Sequence, residues 1–248
     1  MGIWGRVVNL IFPGACRQCG TPVFAGAPTS CFCNRCWNTI RWFEGPCCPQ
    51  CGLPYPSLES LSVHEQSPAG HLCGACRKNP PYFDRAVSAG PYEGVLAEAI
   101  KLFKYKKKVH IGRALAHSII PLRPPLEKGD LNCLIPVPLH PSRLREREFN
   151  QSAILASVIG ERLGIPVLLN TLIRHVHTRP QVELGMKERK KNVVGAFSVQ
   201  DDAMILGKDI VLVDDVYTTG ATVGECARVL KRHGVGRVSV LTIARMVG

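Results

Sequence analysis

Two adjacent acidic residues and a run of hydroxyl side chains carry the clearest chemical signal in the sequence. Asp214 and Asp215 follow four apolar residues, and Thr218-Thr219-Gly220-Ala221-Thr222 comes next, ahead of a helical pattern. Hydroxyls and the N–H groups of a helix N-terminus suit a phosphate monoester, and Gly220 lets the backbone approach it closely. The two carboxylates suit hydrogen bonds from ribose hydroxyls. The alternative is a capped helix after an exposed acidic turn, which needs only one capping side chain.

Cysteine pairs carry the second signal. Ten of the twelve cysteines lie within residues 16–76, and eight of those ten form four Cys-x-x-Cys pairs. Each pair aims two thiolates at one metal, so consecutive pairs predict two closed, structural zinc sites. Cross-braced pairing, iron–sulfur binding, redox chemistry and replacement of a ligand by Cys31 or Cys47 stay open as alternatives. The predicted ligands are Cys16, Cys19, Cys33, Cys36, Cys48, Cys51, Cys73 and Cys76.

The elements around the acidic loop alternate between strand and helix. Apolar runs predict buried strands at 131–137, 210–213 and 238–243, and helical spacing predicts helices at 95–103, 110–120, 150–163 and 224–233. This order predicts an α/β fold with a parallel sheet, whose ligands bind beyond the carboxyl ends of the strands.

The composition changes at Pro80-Pro81. Residues 14–80 are rich in Cys, Pro and Gly and lack a sustained pattern, so they are predicted to be metal-held loops. We therefore predict a zinc-ribbon module over residues 1–80 and the α/β domain over residues 81–248. Because the first segment buries little apolar surface, the metal is expected to stabilise it separately from the sheet.

The charge predicts anionic partners. The formal net charge is +12, and residues 81–200 hold 19 Lys or Arg against 10 Asp or Glu. Phosphates, nucleic acid or both are therefore expected to bind. No run of about 18 apolar residues predicts a membrane span, and clustered cysteine pairs without an export signal predict a reducing cytoplasm.

A lysine cluster beside aromatic residues is the candidate nucleic-acid surface. Such a cluster could follow a single-stranded DNA backbone while an aromatic ring stacks on a base. The alternative is the solvated face of a helix whose aromatics are buried. The lysines are Lys101, Lys104, Lys106, Lys107 and Lys108, near Phe103 and Tyr105.

Residues 211–222 resemble, position by position, the signature loop of the type I phosphoribosyltransferases. The resemblance implies that fold, phosphoribosyl pyrophosphate (PRPP) as ligand, Mg²⁺ as cofactor and displacement at the anomeric carbon of ribose. It implies catalytic roles for Asp214 and Asp215. The implied ligand contacts are Val213, Asp214, Asp215, Val216, Tyr217, Thr218, Thr219, Gly220, Ala221 and Thr222.

Residues 136–151 resemble the pyrophosphate loop of that family and the helix after it. Arginines there would grip a diphosphate, although a solvated basic face is the alternative reading. Glu148 stands where the family commonly has Gly, so a turn that relied on positive φ would be altered here. Asn150 could equally be a plain N-cap. The implied ligand contacts are Pro138, Leu139, His140 and Arg143.

Residues 177–192 resemble the flexible loop that closes over the ligand in these enzymes. A cation brought over the departing pyrophosphate would stabilise its developing charge. Arg179, Lys187 and Arg189 are the catalytic candidates. A basic surface loop is the alternative.

A double zinc ribbon followed by a phosphoribosyltransferase domain resembles the ComF family of competence proteins along nearly the whole chain. That resemblance implies a role in natural transformation, through the handling of incoming single-stranded DNA in the cytoplasm. It also implies a DNA-uptake helicase or other competence proteins as partners. Two functions stay open: a phosphoribosyltransferase of unknown acceptor, and a non-catalytic nucleic-acid adaptor that uses the phosphoribosyl fold as a ligand sensor.

Overall fold

The computed structural model describes residues 14–23, 27, 29–55, 71–122, 131–177 and 192–247. The strands are β1 (Gly14–Ala15), β2 (Pro22–Val23), β3 (Arg85–Pro91), β4 (Cys133–Pro136), β5 (Leu172–Arg174), β6 (Phe197–Val199), β7 (Ile210–Tyr217) and β8 (Val238–Arg245). The helices are α1 (Asn34–Trp37), α2 (Gly74–Lys78), α3 (Gly94–Tyr105), α4 (Val109–Ile119), α5 (Pro141–Arg147), α6 (Gln151–Leu163) and α7 (Ala221–Arg232).

A four-stranded parallel sheet in the order β3-β8-β7-β4 forms the centre of the fold. Its strands are almost continuously apolar because both faces are covered. Val211 and Val213 join the core beneath α3, α4 and α6, whereas Leu212 joins the core beneath α7. The predicted α/β parallel-sheet fold is confirmed. Among the described residues, no helix is long and apolar enough to span a bilayer.

The cysteine-rich segment packs against the edge strand β3. The Phe43 N–H donates to the Ala89 carbonyl at 2.7 Å, and the Ala86 N–H donates to the Gln50 carbonyl at 2.7 Å. A Cβ on Gly52 would lie 2.4 Å from the Ala86 carbonyl oxygen, so only glycine permits this approach. The segment therefore covers an edge that would otherwise be open to pairing.

Both hydrophobic cores draw residues from each side of residue 80. Trp37 and Ile40 belong to one core with Leu96, and Cys76 belongs to the other with Phe83. The boundary at residue 80 stays a prediction, but the two parts do not have separate cores. Residues 1–13 and 56–70 of the predicted zinc-ribbon module lie outside the described residues.

Candidate functional site

The end of β7 and the start of α7 build the candidate phosphate loop, defined as residues 217–222. Gly220 adopts a left-handed conformation with φ of +75° and serves as the N-cap of α7. A Cβ there would lie 2.2 Å from the Tyr217 hydroxyl, so the turn requires glycine. The Thr219 hydroxyl accepts a hydrogen bond from the Ala221 N–H at 3.4 Å. The first N–H groups of a helix lack intrahelical acceptors, which makes this turn an anion-binding element.

Each carboxylate of the acidic pair, in the second half of β7, has its own partners. Asp214 accepts hydrogen bonds from the Ser152 hydroxyl and the Asp215 N–H, both at 2.9 Å. Burial, together with the neighbouring Asp215 carboxylate, raises the pKa of Asp214 to about 7. Lys104 Nζ lies 2.8 Å from Asp215 Oδ1, and both side chains are largely buried. Burial lowers the pKa of Lys104, but the Asp215 and Asp214 carboxylates together raise it above its ordinary value.

A cleft of about 230 Å³ joins the acidic pair to several cations. Arg143, Arg147 and Arg174 line it together with Lys104, so basic groups outnumber the two carboxylates. Arg174 comes from β5 and lies over the Phe197 ring at 5.4 Å. The sequence interpretation missed Arg174 as a site residue, because a three-residue strand has no detectable period.

The predicted ligand contacts fall into two groups. Those that line the cleft are Pro138, Leu139, Arg143, Asp214, Asp215, Val216, Tyr217, Thr218, Gly220, Ala221 and Thr222. Val213 is instead buried in a core, and Thr219 contacts the start of α7. His140 is the N-cap of α5, where its Nδ1 accepts a hydrogen bond from the Ser142 N–H at 3.2 Å.

The turn between α5 and α6 keeps the conformation that a glycine would adopt. Glu148 has φ of +68°, so the alteration expected from the missing glycine does not occur. Lys107, which has a positive φ itself, donates a hydrogen bond to the Glu148 carboxylate. Asn150 caps α6 by accepting from the Ser152 N–H at 3.0 Å and also donates to the Val137 carbonyl at 3.0 Å. Asn150 is therefore both a cap and an anchor for the loop after β4.

The lysines that the sequence groups together have different environments. Lys104 is in the cleft with Asp215, Lys107 pairs with Glu148, and Lys101 lies 3.9 Å from Glu98. Lys106 and Lys108 are exposed, and 57% of the Tyr105 surface is exposed beside the Arg147 guanidinium, 5.2 Å away. Phe103 is buried against Phe149 at 5.6 Å. Arg179, Lys187 and Arg189 lie outside the described residues.

Two clusters of four cysteines fit tetrahedral zinc. In each cluster the Sγ atoms lie within 4.8 Å of one another, with Cys19–Cys33 at 3.7 Å and Cys51–Cys73 at 3.6 Å. Zn–S bonds of about 2.3 Å place tetrahedral ligands about 3.8 Å apart, which matches these separations. The Cys16 and Cys48 sulfurs each accept a backbone hydrogen bond at 3.4 Å. The predicted pairing of consecutive Cys-x-x-Cys pairs is confirmed, with Cys16, Cys19, Cys33 and Cys36 in one cluster and Cys48, Cys51, Cys73 and Cys76 in the other.

Comparison with known proteins finds a matching family for the cysteine-rich segment and another for the α/β part. Residues 7–77 match the Double zinc ribbon domain, and residues 150–246 match the Phosphoribosyl transferase domain. Over 218 residues the chain is 33% identical to Competence protein F of Haemophilus influenzae, covering 86% of this chain and 90% of that protein. It is 31% identical over 242 residues to DNA utilization protein YhgH of Salmonella typhi, covering 95% of this chain and 99% of that protein. Competence protein ComFC of Bacillus subtilis is 25% identical over 232 residues, covering 90% of this chain and 88% of that protein.

Proposed function

This chain belongs to the ComF family of competence proteins, and from that premise we propose that it binds PRPP with Mg²⁺ and acts in DNA uptake by handling single-stranded DNA. The observation that carries the proposal is the cleft, where one loop for a phosphate, one acidic pair and three arginines meet. This set suits a ligand with a phosphate at one end, ribose hydroxyls in the middle and a diphosphate at the other. The names of two relatives, Competence protein F and DNA utilization protein YhgH, support a role in DNA uptake.

Each part of PRPP has a complementary part of the cleft. The 5-phosphate would accept hydrogen bonds from the first turn of α7 and from the Thr218 hydroxyl. The ribose hydroxyls would donate to the acidic pair, and the diphosphate would meet Arg143 and Arg174, whose forked guanidiniums bind such groups bidentately. The carboxylate oxygens of the pair are hard donors that fit Mg²⁺, which would neutralise part of the diphosphate charge.

The state of Asp215 favours a second candidate beside turnover. Departure of pyrophosphate develops positive charge on the ribose, which anionic groups stabilise. Here Lys104 already pairs with Asp215, and burial beside the Asp215 carboxylate raises the pKa of Asp214 to about 7, which favours its neutral form. Less negative charge is therefore available at the reacting carbon. This observation favours a ligand-sensing adaptor, whereas the complete set of ligand-binding elements favours a phosphoribosyltransferase of unknown acceptor.

The exposed cations beside the cleft support the DNA part of the proposal. Tyr105 lines the cleft, and Lys106 and Lys108, which follow it closely in the chain, are exposed. An exposed aromatic ring with cations around it can stack a base while the lysines contact phosphates. The same surface would also be available to other anionic chains, so strand preference has to be measured.

Calorimetry with PRPP and Mg²⁺ tests the ligand. We expect Asp214→Asn with Asp215→Asn to weaken binding by at least ~1.5 kcal/mol, because charge-assisted hydrogen bonds are lost. Asp201→Asn with Asp202→Asn, an exposed adjacent pair elsewhere, is the matched control and should bind as the unaltered protein does. Unchanged affinity in the first variant would remove the ribose-binding role.

A pyrophosphate-release assay separates the two candidates. Release that depends on both PRPP and an added acceptor, and that disappears in the Asp214→Asn, Asp215→Asn variant, supports a transferase. Tight PRPP binding without release under every acceptor tried supports a sensor. DNA binding that survives the same substitutions would show that the two ligands use different residues.

A further inference from the structure

Arg245, at the end of β8, contacts the second cysteine cluster and the phosphate loop at once. Its Nη1 donates to the Cys51 carbonyl at 2.6 Å, and its Nη2 lies 3.8 Å from Cys51 Sγ. On its other side the guanidinium carbon lies 4.3 Å from the centre of the Tyr217 ring. Arg245 and Tyr217 are each 7% exposed. One buried cation therefore bridges a metal-ligating residue and the first residue of the phosphate loop.

The buried charge of Arg245 needs a counter-charge. Within the described parts of the chain, no Asp or Glu oxygen lies within 4.0 Å of its guanidinium. A buried unpaired cation is strongly destabilising, because it has lost its hydration without gaining a counter-charge. Four thiolates with one zinc ion carry a net charge of −2, and Cys51 belongs to such a set. With zinc bound, the tetrathiolate that includes Cys51 would place this negative charge beside Arg245, whose Nη2 lies 3.8 Å from Cys51 Sγ.

Tyr217 transmits this contact to the phosphate loop. Its ring packs edge-on to Phe83 at 6.3 Å, and its carbonyl accepts from the Met246 N–H at 2.9 Å. Its hydroxyl fills the space where a side chain on Gly220 would begin. The position of the Tyr217 ring therefore sets the position of Gly220, from which α7 starts.

We propose that Arg245 is a positioning residue that couples the zinc cluster of Cys48, Cys51, Cys73 and Cys76 to the phosphate loop. The tetrathiolate holds the guanidinium, the guanidinium holds the Tyr217 ring, and the ring fixes Gly220. When zinc is lost, Cys51 is no longer fixed in the cluster, so the guanidinium that its carbonyl and sulfur hold loses its place against the ring. The effect on loop order is independent of the ligand, whereas the effect on PRPP affinity rests on the proposed function.

Hydrogen exchange of the loop amides tests the coupling. Arg245→Gln keeps an amide donor for the Cys51 carbonyl but removes the charge, and Arg237→Gln is the matched control on an exposed arginine. We expect the Arg245→Gln protein to retain two zinc ions. The backbone amides of residues 217–222 should exchange hydrogen at least tenfold faster, and PRPP should bind at least tenfold more weakly. Arg245→Lys should recover part of both effects, because it restores the charge without the planar fork. Loop exchange equal to that of Arg237→Gln overturns the proposal.

Two further measurements keep the proposal testable if Arg245→Gln does not fold. In the unaltered protein, zinc removal by a chelator should accelerate exchange in residues 217–222, and unchanged exchange there overturns the coupling. In cobalt-loaded protein, Arg245→Lys should shift the thiolate-to-metal charge-transfer band, whereas Arg237→Lys should not, because Arg245 contacts the Cys51 sulfur and Arg237 pairs with Asp209. If the unaltered protein binds no PRPP, the proposed function fails, but the exchange results still decide the coupling.

Discussion

The buried carboxyl of Asp214 predicts a pH dependence of stability that one substitution can remove. Its pKa is about 7 in the folded protein against 3.8 ordinarily, mainly because of burial. Between these two values the folded state holds a proton that the unfolded state has released. The stabilisation is therefore complete below pH 3.8 and is lost as pH rises through 7. The slope is about −1.4 kcal/mol per pH unit, or roughly 4 kcal/mol over the whole window.

Asp214→Asn removes this dependence, because an amide stays neutral while it can still accept from the Ser152 hydroxyl. We expect the free energy of unfolding of the variant, minus that of the unaltered protein, to rise by about 2 kcal/mol between pH 5.5 and 7. Above pH 8 the difference should be constant. Urea unfolding at each pH, followed by circular dichroism, measures it.

Zinc release at low pH would affect both proteins alike, so the difference between them isolates Asp214. Asp201→Asn, on an exposed acid, is the control and should give a difference that does not change with pH. A flat difference for Asp214→Asn as well would refute the reasoning. It would mean that Lys104 and the hydrogen bonds outweigh burial and keep Asp214 ionised.

Three further predictions concern the metal, the loop turn and the basic surface. Metal analysis of protein purified without chelator should give two zinc ions per chain, and one or none would contradict the two clusters. Gly220→Ala should lose about 2–5 kcal/mol of stability, since it combines a strained φ with overlap onto Tyr217. Gly224→Ala, a helical site with open space, should gain up to about 1 kcal/mol, and thermal unfolding compares the two. Neutralising Lys106, Lys107 and Lys108 together should flatten the salt dependence of single-stranded DNA binding by up to about 2 in log–log slope. Lys107 should contribute least because Glu148 already pairs with it, and an unaltered slope in the triple variant would place DNA elsewhere.

Local sequence was enough to predict strands β4, β7 and β8, the acidic pair and the cysteine pairing, although β7 continues through the acidic pair to Tyr217. Each depends on residues close together in the chain: four apolar residues before Asp214, or two cysteines three positions apart. Lys104 shows where such reasoning ends. Its neighbours make it part of a basic helix face, and only the packing of α3 beside β7 brings it to Asp215. Long-range pairing of this kind leaves no periodic signal.

The edge strand β3 was not predicted, because its sequence is atypical of strands. β3 has the sequence RAVSAGP, whose small residues lack the branched side chains that typify strands. They suit the close approach of the cysteine-rich segment, since a Cβ on Gly90 would lie 2.5 Å from the Arg41 carbonyl oxygen. At Glu148 the structure instead places a residue with a long side chain in a conformation that favours glycine. Its positive φ costs about 1–2 kcal/mol, of which an exposed ion pair with Lys107 offsets less than about 1.

The shared cores revise the expectation that zinc stabilises the cysteine-rich segment separately. Trp37 and Ile40 pack in the same core as Leu96 and Val213, and Arg245 joins Cys51 to the end of β8. Loss of the segment would therefore expose apolar surface of the sheet, so the two parts should unfold in one transition. Two spectroscopic signals follow the two parts separately. All three tryptophans lie within residues 4–42, so fluorescence follows the cysteine-rich segment, whereas most helices and strands lie beyond residue 84, so circular dichroism follows the α/β part. Chelation should shift the urea midpoints of tryptophan fluorescence and far-ultraviolet circular dichroism together. Separate midpoints would mean that the segment unfolds alone and that its contacts with β3 contribute little to the stability of the sheet.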